Sequence, residues 1–111
     1  MKSANRLKKN SDFNVVYSKR RSMANKLLII YITENELNNS RVGFVVSKKV
    51  GNSVIRSKVK RLMKESYRIN DNRFKLGYDI IFIARAECKN STFNEIESAI
   101  IHLMKRMKLT K

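Results

Sequence analysis

The chain has few of the residues that interrupt or cross-link a fold. Its 111 residues include no proline, three glycines and one cysteine. A single cysteine, Cys88, cannot form an internal disulfide, which agrees with a reducing compartment. We expect its thiol to be buried as a small apolar group. The length suits one domain and the lack of interruptions gives a second domain no support, so we predict one domain over residues 1–111.

The sequence also lacks the features of several functional classes. No apolar run approaches the ~18 residues of a membrane span, and residues 1–6 are not followed by the apolar stretch of a secretory signal. One histidine, His102, and one cysteine leave a zinc site short of ligands. No glycine-rich loop of the nucleotide-hydrolase type is present. We therefore expect a cytoplasmic protein without a metal site and without catalytic residues of its own.

Acidic residues are few, and the charge is unevenly distributed. Nine Asp and Glu face 25 Lys and Arg, which gives a net charge of +16. The excess lies in residues 1–26, 41–64 and 102–111, whereas 65–101 is nearly balanced. Such a charge opposes the compact state, and a polyanion relieves it because each neutralised phosphate releases a counterion. Nucleic acid is therefore the leading partner; a membrane surface and simple solubility are the alternatives, although a solubilising surface more often mixes its signs.

Hydrophobic periodicity predicts a small mixed fold. Apolar residues recur at helical spacing in three segments, namely 10–19, 54–69 and 92–107. Runs rich in β-branched and aromatic residues predict three strands, namely 27–33, 41–47 and 78–84. We expect the first two strands to pair as a hairpin and the second helix to connect two strands as in a parallel pair, a connection that general rules make right-handed. The expected helix caps are Asn10 or Ser11, Ser53, and Thr92 with Glu95.

The segment 48–64 carries the strongest functional signal. Its start, around Gly51 and Asn52, is surrounded by cations and has no acid, although a helix N-terminus favours acids. This arrangement costs stability unless an anion binds, and the N–H groups of a helix start can donate to phosphate. We predict that RNA or DNA phosphates bind here, with a solvated charged face as the alternative. The predicted contacts are Lys48, Lys49, Asn52, Arg56, Lys58, Lys60, Arg61 and Lys64.

Three aromatic residues form a second candidate site. Phe13 and Tyr17 are four residues apart and share a helix face, and Tyr31 lies on the first predicted strand. If the first helix packs beside the sheet, these rings could line a groove with basic walls from residues 19–21. Aromatic faces stack on unpaired bases, which suits single-stranded nucleic acid. Taken by itself, the pattern favours ordinary core packing.

Three blocks of the chain resemble a known family. Residues 41–62, RVGFVVSKKVGNSVIRSKVKRL, resemble the central block of the bacterial ribonuclease P protein subunit. Residues 5–13, NRLKKNSDF, resemble its N-terminus, and residues 78–85 resemble its last strand. In this family an RNA subunit with bound magnesium ions hydrolyses one phosphodiester of precursor tRNA and so releases the 5′ leader. The protein binds the RNA subunit and the leader.

The resemblance implies a fold and a leader-binding groove. The implied fold is a single α/β sandwich of about four strands and three helices in the order αβββαβα. Its βαβ crossover is left-handed, contrary to the general rule. The groove that binds the leader lies between the first helix and the sheet, and its aromatics match Phe13, Tyr17 and Tyr31. This raises the expectation that these rings contact RNA.

The family's Arg-Asn-Arg motif falls on Arg56, Ser57 and Lys58. Ser57 therefore joins the predicted RNA-binding residues. Lys58 keeps the charge of the usual arginine but loses its planar fork, and Ser57 offers one hydroxyl in place of a two-ended amide. We expect phosphate contact at these positions rather than a geometry-specific role.

The resemblance thus predicts the protein subunit of an endoribonuclease in which the RNA subunit does the chemistry. Its partners would be the catalytic RNA and the 5′ leader of precursor tRNA, with no membrane, no cofactor held by the protein, and Mg²⁺ in the holoenzyme. One alternative is a structural component of the ribosome or of another ribonucleoprotein. Another is a protein-only nuclease that uses an acid such as Asp79 or Glu95. The sequence leaves open the oligomeric state, the leader preference, the contact site on the RNA subunit and metal binding by the protein itself.

Overall fold

The computed structural model describes residues 4–111, with side chains from Arg6 onward; residues 1–3 of the basic N-terminal stretch lie outside the described residues. The strands and α-helices follow one another as β1 (Ala4–Arg6), α1 (Asn10–Ser18), β2 (Ser22–Ala24), β3 (Leu28–Glu34), β4 (Ser40–Val45), α2 (Ser53–Asn70), β5 (Tyr78–Ala84) and α3 (Phe93–Arg106). Short 3₁₀ helices of three and five residues follow α2 and β5, respectively. From α1 onward, this order confirms the predicted αβββαβα. β1 adds an edge strand, so the sheet has five strands rather than about four.

The strand order in the sheet is β1-β4-β5-β3-β2. β5 pairs antiparallel with β3 and parallel with β4, so it separates the two strands that were expected to form a hairpin. That hairpin prediction is wrong. The reason is the apolar run Ile80–Ile83 of β5, which is mostly buried and therefore takes the central place in the sheet. The parallel β4-α2-β5 connection is confirmed, and its handedness stays a prediction of the resemblance.

Two of the predicted helix caps differ from the structure. α2 begins at Ser53, but its cap is Asn52, whose Oδ1 accepts a hydrogen bond from the Ile55 N–H at 3.0 Å. α1 begins directly after Lys9, and no side chain of the described residues caps it. A cap is chosen by backbone geometry at one residue, so neighbouring polar residues compete for the role. The sequence pattern alone does not separate them.

The predicted cap of α3 is confirmed. The Thr92 N–H donates to Glu95 Oε1 at 2.8 Å, and the Glu95 N–H donates to Thr92 Oγ1 at 3.2 Å. These reciprocal bonds form a complete capping box. Glu95 therefore has a structural role at the start of α3.

The two faces of the sheet differ in how well they are covered. One face packs on α2 and α3 around fully buried side chains such as Ile30, Phe82, Met63 and Ile100. The other face carries a smaller cluster around Val16 of α1. Cys88 is buried, as expected. Within the described residues no α-helix combines the length and the apolar character that crossing a membrane requires.

Candidate nucleic-acid interface

Most of the residues predicted to bind phosphate are exposed side chains of α2 and of the loop before it. Val59 and Met63 of this helix are buried in the core, whereas Lys60 and Arg61 are exposed and Lys64 is partly exposed. Lys48, Lys49, Ser57 and Lys58 are also exposed. The first turn of α2 contains no acidic residue. We call this set of nine residues the α2 basic surface: Lys48, Lys49, Asn52, Arg56, Ser57, Lys58, Lys60, Arg61 and Lys64.

The start of α2 offers fewer free donors than the sequence suggests. The Ile55 and Arg56 N–H groups both donate to Asn52, one to its side chain and one to its carbonyl oxygen. The Asn52 side-chain oxygen therefore already accepts a hydrogen bond, and the side-chain nitrogen is the atom that could donate to RNA. Gly51 has a packing role as well, since a Cβ there would lie 2.9 Å from the Ile55 side chain.

Arg56 has a donor that the described protein leaves unused. Its Nε atom is buried and finds no hydrogen-bond partner among the described residues. A buried donor without an acceptor costs free energy, on the order of 1–3 kcal/mol. The side chain as a whole is partly exposed, so a phosphate oxygen could satisfy this donor only after the guanidinium turns towards the surface.

A cavity of about 340 Å³ joins α2 to the N-terminal segment. Its walls include Arg6, Lys8, Phe13, Lys60 and Lys64. Partial burial and the nearby charges of Arg6 and Lys60 lower the pKa of Lys64, so the site disfavours its own cation and favours an anion. Arg6 and Lys8 were missed as site residues. The basic character of residues 1–26 and the resemblance of residues 5–13 to the family's N-terminus do not show that Arg6 and Lys8 meet α2, because the parallel pairing of β1 with β4 that brings them here is non-local.

The three predicted aromatic residues come together on the less covered face of the sheet. The Tyr17 and Tyr31 ring centroids are 5.0 Å apart in an edge-to-face arrangement, and the Phe13 and Tyr17 centroids are 6.5 Å apart. All three side chains are partly exposed. Burial, with a smaller effect from Tyr31, raises the pKa of Tyr17. We call Phe13, Tyr17 and Tyr31 the aromatic cluster; it packs against the small core and also presents ring surface to a ligand.

Gly43 makes room for the first ring of this cluster. A Cβ at Gly43 would lie 2.5 Å from Phe13 Cζ, which is far inside contact distance. We expect Gly43→Ala to displace the Phe13 ring and to lower the free energy of unfolding by about 1–3 kcal/mol, measured by urea denaturation. In a Gly43→Ala/Phe13→Leu double variant the smaller side chain should recover part of the loss. A Gly43→Ala protein as stable as the parent would contradict this packing.

The residues considered for a protein-only nuclease have structural roles instead. Asp79 is buried and hydrogen-bonded to Arg41, and Glu95 completes the cap of α3. A cavity of about 660 Å³ lies near Glu95 and His102, and neither the α2 basic surface nor the aromatic cluster lines it. His102 is exposed, and its Nδ1 pairs with the Asn25 amide at 3.2 Å.

Comparison with known proteins decides the family. The family described as Ribonuclease P matches residues 1–108 of this chain. The chain belongs to the ribonuclease P protein family. It is 66% identical over 109 residues to the ribonuclease P protein component of Alkaliphilus metalliredigens, covering 98% of each chain.

Solved ribonuclease P proteins have the same fold. The Staphylococcus aureus RNase P protein superposes with a TM-score of 0.87 at 38% identity, over 96% of this chain and 97% of that one. The RNase P protein from Thermotoga maritima gives a TM-score of 0.84 at 28% identity, over 92% of this chain and 96% of that one. The family and fold predicted from the sequence are therefore confirmed.

Membership of the ribonuclease P protein family establishes the general role of the chain. It is the protein component that works with the RNA subunit of ribonuclease P. The holoenzyme is an endoribonuclease of tRNA 5′ processing, and the RNA subunit is its catalyst. This confirms the predicted function and decides against a structural component of the ribosome. The RNA contacts of the individual residues stay predictions.

Proposed function

We propose that this ribonuclease P protein binds two RNAs with two separate surfaces. The α2 basic surface binds phosphates of the catalytic RNA subunit, and the aromatic cluster binds the 5′ leader of precursor tRNA. A single-stranded leader suits the aromatic cluster because unpaired bases stack on aromatic faces whatever their sequence.

The observation that carries this proposal is the position of the aromatic cluster beside a basic cavity. The ring centroids of Tyr17 and Tyr31 lie 5.0 Å apart on the face of the sheet that α2 and α3 leave open. Phe13, at one end of the cluster, also lines the cavity that contains Lys60 and Lys64. The two surfaces therefore adjoin at this cavity, which would place the leader next to the RNA subunit bound along α2.

The protein contributes charge and position to cleavage rather than chemistry. Catalytic RNA and precursor tRNA are both polyanions, and a protein of net charge +16 between them reduces their repulsion. The described residues bring no three His, Cys, Asp or Glu side chains into a common metal-binding group. We assign the magnesium expected in the holoenzyme to the RNA, and the protein would lower the concentration of Mg²⁺ that the RNA requires.

A cytoplasmic location fits this proposal. Precursor tRNA is processed where it is transcribed, and the thiol of Cys88 is free and buried. Burial raises the pKa of Cys88 to about 11, so the thiol is protonated and unreactive at neutral pH.

Reconstituted cleavage tests the proposed function. At a magnesium concentration where ribonuclease P RNA alone cleaves precursor tRNA slowly, addition of this protein should restore rapid cleavage, because it replaces part of the screening that Mg²⁺ provides. The rate of appearance of the free leader is the measurement. A protein that gives no stimulation would contradict the proposal.

Binding measurements separate the leader role from general RNA affinity. With the RNA subunit present, the protein should increase the affinity for leader-bearing precursor tRNA more than the affinity for mature tRNA. A purely structural RNA-binding protein would give both tRNAs the same increase. Such a result would agree with RNA binding by the α2 basic surface and would contradict leader binding by the aromatic cluster.

A further inference from the structure

Arg41 on β4 is a cation that the protein uses internally. Its Nε donates to Asp79 Oδ1 at 2.9 Å, and its Nη2 donates to Asp79 Oδ2 at 2.6 Å. Asp79 on the neighbouring strand is only 3% exposed, and its Oδ1 also accepts from Asn35 Nδ2 at 2.9 Å. Two parallel bonds to a buried carboxylate fix the plane and direction of the guanidinium. Arg41 is therefore held in place before it meets any other partner.

The remaining nitrogen of this guanidinium faces α1. Arg41 Nη1 lies 3.5 Å from Asp12 Oδ2, and Asp12 is in the first turn of α1. Both side chains are partly exposed, at 29% and 26%, and pairs of this kind add little to stability because ordering two mobile side chains offsets their attraction. Here one partner is already ordered by Asp79. The contact with Asp12 therefore costs less entropy and can fix a position.

The C-terminal half of α1 packs on the small core of the sheet through Val16 and Tyr17. The helix has nine residues, and a helix so short is marginal by itself. Val16 is its only fully buried residue, and no side chain of the described residues caps its start. The first turn is therefore held by the Asp12–Arg41 contact and by Phe13, which packs over Gly43.

We propose that Arg41 is a positioning residue for leader binding: oriented by Asp79, it sets through Asp12 the place of the first turn of α1, and with it the place of the Phe13 and Tyr17 rings. The inference rests on the proposed leader-binding role of the aromatic cluster. Arg41 is not a free phosphate contact, because the carboxylates of Asp79 and Asp12 both face its guanidinium. Arg41 would affect leader binding by fixing the position of α1, not by contacting the RNA.

The Asp12→Asn variant distinguishes an effect of the position of α1 from an effect of the net charge of the protein. The substitution keeps the size of the side chain and removes one acid, so it raises the net charge of +16 by one unit. Simple electrostatics predicts tighter binding of every RNA. We expect instead that the affinity of the reconstituted holoenzyme for leader-bearing precursor tRNA falls about threefold to tenfold, while its affinity for mature tRNA does not fall. In cleavage assays KM should rise for the leader-bearing substrate and kcat should stay unchanged.

Arg41→Lys provides a second variant that leaves the charge unchanged. A lysine cannot engage two carboxylates with a rigid fork, so we expect the same selective loss of leader affinity. The Asp12→Asn/Arg41→Lys double variant should lose no more leader affinity than Arg41→Lys alone, because both substitutions break the Asp12–Arg41 contact. Glu87→Gln is the matched control: it removes an exposed acid remote in sequence from α1, and it should not weaken binding of either tRNA.

The outcomes distinguish this inference from the proposed function. If the parent protein prefers leader-bearing tRNA and both single variants keep that full preference, Arg41 does not position the aromatic cluster, and the proposed function stands. If Asp12→Asn binds both tRNAs more tightly, Asp12 acts through charge alone and the inference is overturned. A parent protein without any leader preference would overturn both.

Discussion

Replacing Arg56, Lys60 and Lys64 together by alanine should flatten the salt dependence of RNA binding by about two to three units of slope, since each lost phosphate contact removes ~0.7–0.9 of a unit. These residues lie on the α2 basic surface, and Arg56 has a buried donor without a partner among the described residues. A fourfold decrease in salt should therefore strengthen binding of the parent protein by about 16- to 64-fold more than binding of the variant. The measurement is the affinity for ribonuclease P RNA at several salt concentrations.

A second triple variant tests whether position or total charge matters. Changing Lys89, Lys105 and Lys111 to alanine removes the same charge from exposed positions outside the α2 basic surface. We expect this control to change the slope much less, because contact with phosphate releases the counterions and distant charge does not. Equal slopes for the two triple variants would show that RNA binds to no particular surface of the protein.

Changing Tyr17 and Tyr31 to alanine should have the second large effect, on leader affinity. Each base that stacks on an aromatic side chain contributes about 1–3 kcal/mol, so loss of one stacked base already weakens binding of precursor tRNA by roughly fivefold to 150-fold. The double variant should lose less than the sum of the single variants, because the two rings contact each other at 5.0 Å. Affinity for leader-bearing and mature tRNA, measured in the holoenzyme, checks this result.

The corresponding phenylalanine variants are the control for stacking. Tyr17→Phe and Tyr31→Phe keep the ring and remove the hydroxyl, so they should retain most of the leader affinity if stacking provides it. Equal losses for mature and leader-bearing tRNA in the alanine variants would show that the aromatic cluster serves the core alone. That outcome would support ordinary core packing of these rings, which is what the sequence pattern by itself favours.

Local patterns predicted the three α-helices and three of the five strands, and non-local pairing decided their arrangement. The helical spacing of Val59 and Met63 and the apolar run of β5 each depend on neighbouring residues, so both elements were predicted. The hairpin of β3 and β4 was wrong, because the choice between β4 and β5 as the partner of β3 depends on the whole sheet. A local sequence contains no direct signal for that choice.

The same distinction applies to the candidate site. The α2 basic surface comes from one short segment, so its residues could be named from the sequence. The meeting of Arg6 with Lys64 could not, because it depends on β1 joining the sheet beside β4. Arg41 shows the opposite error: it counts as one of the cations of residues 41–64, yet in the structure it faces two carboxylates.

The two faces of the sheet are covered unequally, and they serve different purposes in this small protein. Folding depends mainly on the face under α2 and α3, where Ile30, Phe82, Met63 and Ile100 are fully buried. The opposite face has only α1 and its small cluster, so side chains there contribute less to the fold. Substitutions on α1 should therefore impair leader binding while leaving a folded protein, whereas substitutions beneath α2 and α3 should lower the stability of the fold first.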